Sequence, residues 1–162
     1  MDKPALVRWA NNIGLQGIDV SKYVDELSTI GTLAHYLIEC DITGKSPDLL
    51  DYTPNQVSAA DVAYTKFVEW RKQHDFQVIL SEAQVGSHER HYSGTIDCYA
   101  WIDGEKTLVD FKTSKAVYDS HLIQVAGGYK PLLIENGYPV DRVRILQIGR
   151  DPSEGFSDHV VK

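Results

Sequence analysis

The chain has 162 residues, enough for one ordinary domain and short for two. Hydrophobic residues make up 43% and charged residues 24%, which excludes wholesale disorder and fibrous repeats and leaves a folded, soluble protein as the expectation. The 23 acids against 16 bases give a formal charge of −7, and that total, taken alone, argues against a nucleic-acid or anionic-membrane partner.

The N-terminal residues carry an early helix signal, with Asp2 as cap, Pro4 in the first turn and Leu6, Val7, Trp9 and Ala10 as an apolar side. From Val20 to about Cys40 apolar residues recur every three or four positions, the period of one helix or of two successive helices, with Gly31 as the candidate joint. Thr53-Pro54-Asn55-Gln56 reads as a capping box with proline at the first helical position, opening a helix that ends near His74. The texture then changes to alternation rich in β-branched residues. Gln77 to Val85, Thr95 to Ile102 and Thr107 to Phe111 are expected to form three antiparallel strands, the last two joined by a turn at Asp103-Gly104. A helix from about Ser120 to Asn136, a strand from Val143 to Ile148 and an edge strand around His159 to Val161 complete the order. No repeat, low-complexity tract or linker interrupts it.

Cys40 and Cys98 are too few for a disulfide framework, a four-thiolate zinc site or an iron–sulfur cluster, and both read as buried structural thiols. The N-terminus lacks the basic and apolar regions of a signal peptide, and no segment approaches the roughly 18 apolar residues of a membrane span. A reducing, cytoplasmic setting without a membrane partner is expected, in a cell or an infected host. No residue pattern specifies an oligomeric state.

Chemistry concentrates in the strand pair around Asp97 and Asp110. Positions 110 and 112 project to one side of their strand, so Asp110 and Lys112 point together, and closure of the hairpin at Asp103-Gly104 brings Asp97 to the same end. Two adjacent carboxylates repel unless a proton or cation lies between them, and a hard divalent ion resolves the conflict. The lysine then orients an attacking water or stabilises charge developing on a phosphate. The plainer alternative is a surface salt bridge between Asp110 and Lys112.

Gly94-Thr-Ile-Asp97, Val109-Asp110-Phe-Lys112-Thr113 and Gln124-Val-Ala, preceded by Gly31-Thr-Leu-Ala-His35 on a helix, resemble the ordered motifs of the PD-(D/E)xK nuclease superfamily, within it the RecB-like and phage exonuclease branch. The resemblance spans roughly residues 29 to 148. It implies an α/β fold of the α+β type, with a restriction-endonuclease-like core in which helices flank a mixed sheet of four to five strands. Residues 1–75 would be the mainly helical part and 76–150 the catalytic sheet of one domain, 1–162. It also implies a metal site of His35, Asp97, Asp110 and the Phe111 carbonyl, a catalytic role for Lys112, and Mg2+ or Mn2+ as cofactor, the histidine favouring Mn2+. Glu39, one turn after His35, and Glu82 in the first strand become candidates for a second ion or a metal-bound water. Thr113 and Lys115 are assigned to the substrate. Gln124 matches the glutamine of the family's Q-x-x-x-Y motif, but Gly128 occupies the tyrosine position and the aromatic arrives one residue late, as Tyr129. Either the Gly127-Gly128 pair allows a bulge that returns Tyr129 to the site, which is the favoured reading, or the tyrosine's role is lost.

The resemblance therefore points to a metal-dependent deoxyribonuclease, expected to be an exonuclease in phage or mobile-element recombination, replication or repair. DNA is the expected partner, with a helicase, polymerase or annealing protein as candidate company. A structure-selective endonuclease on the same fold and a non-catalytic DNA-binding or assembly module are the alternatives. His88-Glu-Arg-His91 is not a zinc-protease motif and is read as an exposed turn, with substrate contact as the minor option. The charge is also unevenly spread: residues 1–105 carry −8, residues 106–150 carry +3 and residues 151–162 carry −2. The basic stretch is the one that holds Lys112 and Gln124.

Overall fold

The computed structural model describes residues 17, 19–113, 117, 119–150 and 153–161. The expected first helix and Lys115 lie outside them. Helix α1 (Val20–Thr43) begins where the Asp19 side chain accepts a hydrogen bond from the Lys22 N–H at 3.1 Å, and ends at Gly44, whose left-handed φ of 73° lets its N–H return to the Cys40 carbonyl. It runs unbroken through Gly31, correcting the expectation that this glycine marks a joint. Leu33, Ala34, Leu37, Ile38 and Ile42 keep one buried stripe throughout. The glycine serves a close approach instead, because a Cβ there would sit 2.8 Å from Thr113 Oγ1.

Helix α2 (Pro54–Lys72) opens on the expected capping box, with Thr53 and Gln56 exchanging hydrogen bonds. Arg71 and Lys72 in its last turn complement the helix dipole. It is tied to α1 by Asp41, which accepts from Tyr64 Oη at 3.1 Å and pairs with Arg71 at 2.5 Å.

Five strands form one mixed sheet in sequence order: β1 (Phe76–Ser87), β2 (Tyr92–Ile102), β3 (Glu105–Lys112), β4 (Arg142–Ile148) and β5 (Phe156–Val161). All neighbours are antiparallel except β3 and β4. The β2–β3 hairpin closes through Asp103 and Gly104 at φ 51° and 83°, the two left-handed positions a tight hairpin turn needs. A parallel β3–β4 pair requires a crossover, supplied by α3 (Asp119–Leu122), a π-helical segment (Ile123–Tyr129) and α4 (Lys130–Glu135). β5 is longer than the expected edge strand.

One core lies between the sheet and α1/α2, centred on Phe67, Trp70, Phe111, Leu146 and Ile148. The other lies beneath the crossover, around Tyr99, Leu108, Val125, Leu132 and Ile145. The molecule is thus an α+β fold with a helix-flanked five-strand mixed sheet, consistent with the expected restriction-endonuclease-like core. Cys40 and Cys98 are buried free thiols. Among the described residues no helix is long and apolar enough to cross a membrane.

Candidate metal and catalytic site

Strand register brings three acids into one row. The β1–β2 ladder pairs Ser81 with Cys98 and Ala83 with Ile96, so Glu82 faces Asp97 at the step between. The β2–β3 ladder ends at Cys98 with Val109, so the next step sets Asp97 against Asp110. Neither step carries a ladder pair. Glu82 has φ 46°, a conformation that costs a non-glycine residue energy and marks a local constraint. Asp97 Oδ2 accepts from the Phe111 N–H at 2.8 Å, replacing a partner strand's carbonyl. The sheet therefore opens where its carboxylates converge.

α1 closes this opening from one side. His35 sets its ring edge-on to Phe111, 6.3 Å between centroids at 75°. One ligand atom each from His35, Glu82 and Asp97 falls within 4.8 Å of the others. Asp110 Oδ2 is buried without a hydrogen-bond partner among the described residues. Lys112 Nζ forms an ion pair with it at 3.1 Å. An imidazole and carboxylates from three strands, one of them with a buried oxygen met only by Lys112 among the described residues, form a donor set suited to a divalent ion of the Mg2+ or Mn2+ kind.

The protonation equilibria reflect the same crowding. Burial, above all, pushes Asp110 up to about 7, and the neighbouring Asp97 carboxylate adds to the rise against the pull of Lys112. Asp97 is pushed up to about 6 by burial, opposed by the Phe111 N–H. Glu82 is raised by burial and by Glu39 and Asp110, whereas burial lowers His35. Without a cation, the surroundings of these acids favour their protonated forms, a bias that a bound ion would reverse.

On the other side, the crossover addresses Lys112. Its Nζ donates to Gln124 Oε1 at 2.9 Å, and Gln124 Nε2 donates to Tyr129 Oη at 2.8 Å. Gln124 and Tyr129 are five residues apart, a spacing that an α-helix would point in different directions. The π-helical segment places residue i+5 over residue i, and so returns the late tyrosine to the glutamine. Gly94 completes the fit: a Cβ there would lie 2.7 Å from Tyr129 Cε1.

Two clefts meet at these residues. The larger, about 500 Å³, is lined by His35, Glu39, Glu82, Asp97 and Thr113 together with Ser28, Thr32, Tyr36 and Arg150. The smaller, about 300 Å³, joins Asp97, Asp110, Phe111, Lys112 and Tyr129 to Thr95 and His121. Thus all the sequence-assigned residues within the described part converge, Gln124 through its bond to Lys112. His121 and Arg150 were not singled out from sequence. Arg150 was legible only through strand direction, since β4 must run parallel to β3 to bring its carboxyl end here. The His88–His91 turn lines a different cavity. No protein-family model and no curated protein matches this chain.

Proposed function

We propose that the chain is a divalent-metal-dependent nuclease of the PD-(D/E)xK type that hydrolyses phosphodiester bonds in DNA, a RecB-like exonuclease serving phage or mobile-element recombination, replication or repair. The observation that carries this is the single register row Glu82–Asp97–Asp110, joined at Asp110 to Lys112 and through it to Gln124 and Tyr129. A surface salt bridge has no need of a row of acids that ends on the buried Asp110, or of a distorted helix to aim its lysine.

His35, Glu82, Asp97 and Asp110 would hold the ion, with the Phe111 carbonyl added by the resemblance. Bound there, Mg2+ or Mn2+ supplies Lewis-acid polarisation of a phosphoryl oxygen and acidification of a water. Lys112 does the chain's own part. Its ammonium, held between Asp110 and Gln124, donates to the incoming water or to a non-bridging phosphate oxygen and offsets the charge that builds on phosphorus-bound oxygens. Gln124 spends its carbonyl on the lysine and its amide on Tyr129, so the lysine is held in one rotamer before substrate arrives.

The test is EDTA-sensitive nucleotide release from end-labelled linear DNA, run beside a covalently closed circle. Degradation of the linear form alone is expected. Cutting of the circle would move the protein to an endonuclease on the same fold, and DNA binding without any release would leave a non-catalytic module. Lys112→Ala is expected to lower the rate by about 10²–10³-fold in a protein that still folds.

A further inference from the structure

The larger cleft extends beyond the groups that the hydrolytic step uses. One wall is a polar stripe of α1, Ser28, Thr32, His35 and Glu39, spaced by three and four residues so that they share a face. Arg150 lines the same cleft. It lies two residues past the end of β4, and Gln147 pairs with Lys112 across the parallel ladder, so the arginine and the lysine leave the sheet at the same edge.

Arg150 has one charge partner among the described residues, Glu154, and holds it loosely. Its backbone N–H donates to Glu154 Oε2 at 2.8 Å, but its Nε stands 3.7 Å from that oxygen, too far for a hydrogen bond. That Nε is buried and has no hydrogen-bond partner among the described residues. With its buried Nε turned to Glu154, the guanidinium still lines the cleft that holds Ser28 and Thr32, and a planar cationic donor beside two hydroxyls has the chemistry of a phosphate receptor. Glu39 and Glu82 in the same cleft repel an anion, so the arginine and the hydroxyls are the groups left to hold it.

We infer that Arg150, with Ser28 and Thr32, forms a second phosphate subsite that grips a DNA phosphate flanking the one that is cut. This presupposes the nuclease chemistry proposed above and adds to it a fixed contact for the strand. The ligand chemistry is a nucleic-acid phosphate, either an internal diester or a terminal monoester.

The experiment measures equilibrium binding of fluorescent duplex DNA to the full chain in Ca2+, across a salt series, for wild type, Arg150→Gln, Arg150→Lys and Glu154→Gln. Arg150→Gln is expected to weaken binding about tenfold and to make the slope of log Kd against log salt shallower by about one. Arg150→Lys keeps the charge and is expected to retain most of the slope with partial affinity. Glu154→Gln leaves the arginine in place and binds as well as wild type or better. An Arg150→Gln protein with wild-type affinity and slope overturns the subsite, and so does a Glu154→Gln protein as weak as Arg150→Gln, which would make the arginine a loop brace. Substrates with a 5′-phosphate, with a 5′-hydroxyl and without ends separate the two phosphate sources: a loss common to all three marks an internal diester, a loss confined to the first marks a terminal monoester. Failure of wild type to cut DNA in Mn2+, with these binding differences intact, would count against the nuclease chemistry and not against the subsite.

Discussion

Asp97 and Asp110 are the residues at which folding and chemistry pull in opposite directions. Their folded values, about 6 and about 7, lie above the ordinary 3.8, so between these limits the ion-free native state holds more protons than the unfolded chain. The stability they contribute is fully present below the unfolded value and is lost as pH rises through about 6 to 7. Asp110→Asn removes one of the two mutually repelling charges. Thermal melts in EDTA are therefore expected to show the variant more stable than wild type near pH 8, the gap closing toward pH 5, at about 2–4 °C per kcal/mol for a chain of this size. Mn2+ should raise the melting temperature of wild type and leave the variant unmoved. A variant that melts below wild type at pH 8 in EDTA contradicts the crowding of these acids. Gly94 makes a second prediction. Gly94→Ala pushes on the Tyr129 ring, so it should slow cleavage by about the same factor as Tyr129→Phe, and the double variant should be no slower than the worse single one. Additive losses would separate the glycine from the tyrosine. The acids and the lysine were legible in sequence because alternation and one hairpin turn fix which residues meet. The position of Glu82 opposite Asp97 was not, because it depends on the β1–β2 register, which passes an irregularity between Val78 and Leu80.

At the scale of elements, the crossover helix decides whether the glutamine–tyrosine pair works. Alternation, capping and turn residues marked every described helix and strand within a few positions, since each of these signals is local. Gly31 and the Gly127-Gly128 pair misled or left a choice open because their reasons are tertiary. Gly31 admits Thr113 against α1, and the π-helical segment carries one residue more than an α-helical path from Gln124 to Tyr129 needs. Deleting Gly127, which faces open space, should relax the segment to an ordinary helix with Gln124 and the tyrosine four apart, leaving Leu132 and Leu133 in the core. That variant is expected to melt at or above the wild-type temperature and to keep cleaving DNA. A collapse in stability would show that the wide turn is anchored independently of the extra residue. For contrast, Phe67→Ala, which empties the centre of the α1/α2 core, should cost about 3–5 kcal/mol, read as a drop in melting temperature.

Across the whole molecule, the charge of −7 no longer opposes a DNA partner. The excess of acid belongs to residues 1–105, where Glu39, Glu82 and Asp97 gather at the site, while the +3 of residues 106–150 includes Lys112 and Arg150 on the clefts. On the function proposed, a bound divalent ion would offset the former, and the latter would meet the phosphate backbone. DNA affinity is therefore expected to need a divalent ion and to fall with salt along a shallow line, a slope no steeper than about −3, as a few phosphate contacts give. A steep slope, or binding in EDTA equal to that in Ca2+, would place the DNA on a different and more basic surface. The claim at the centre is that the row Glu82–Asp97–Asp110 holds the ion that hydrolyses DNA, and it is tested most directly by the rate of cleavage of end-labelled linear DNA as Mn2+ is titrated into wild type and into Asp110→Asn. A saturable, EDTA-reversible rate in wild type and none in the variant, with both proteins folded, is the predicted result; cleavage by Asp110→Asn at the wild-type rate, or a wild-type rate indifferent to metal, would contradict it.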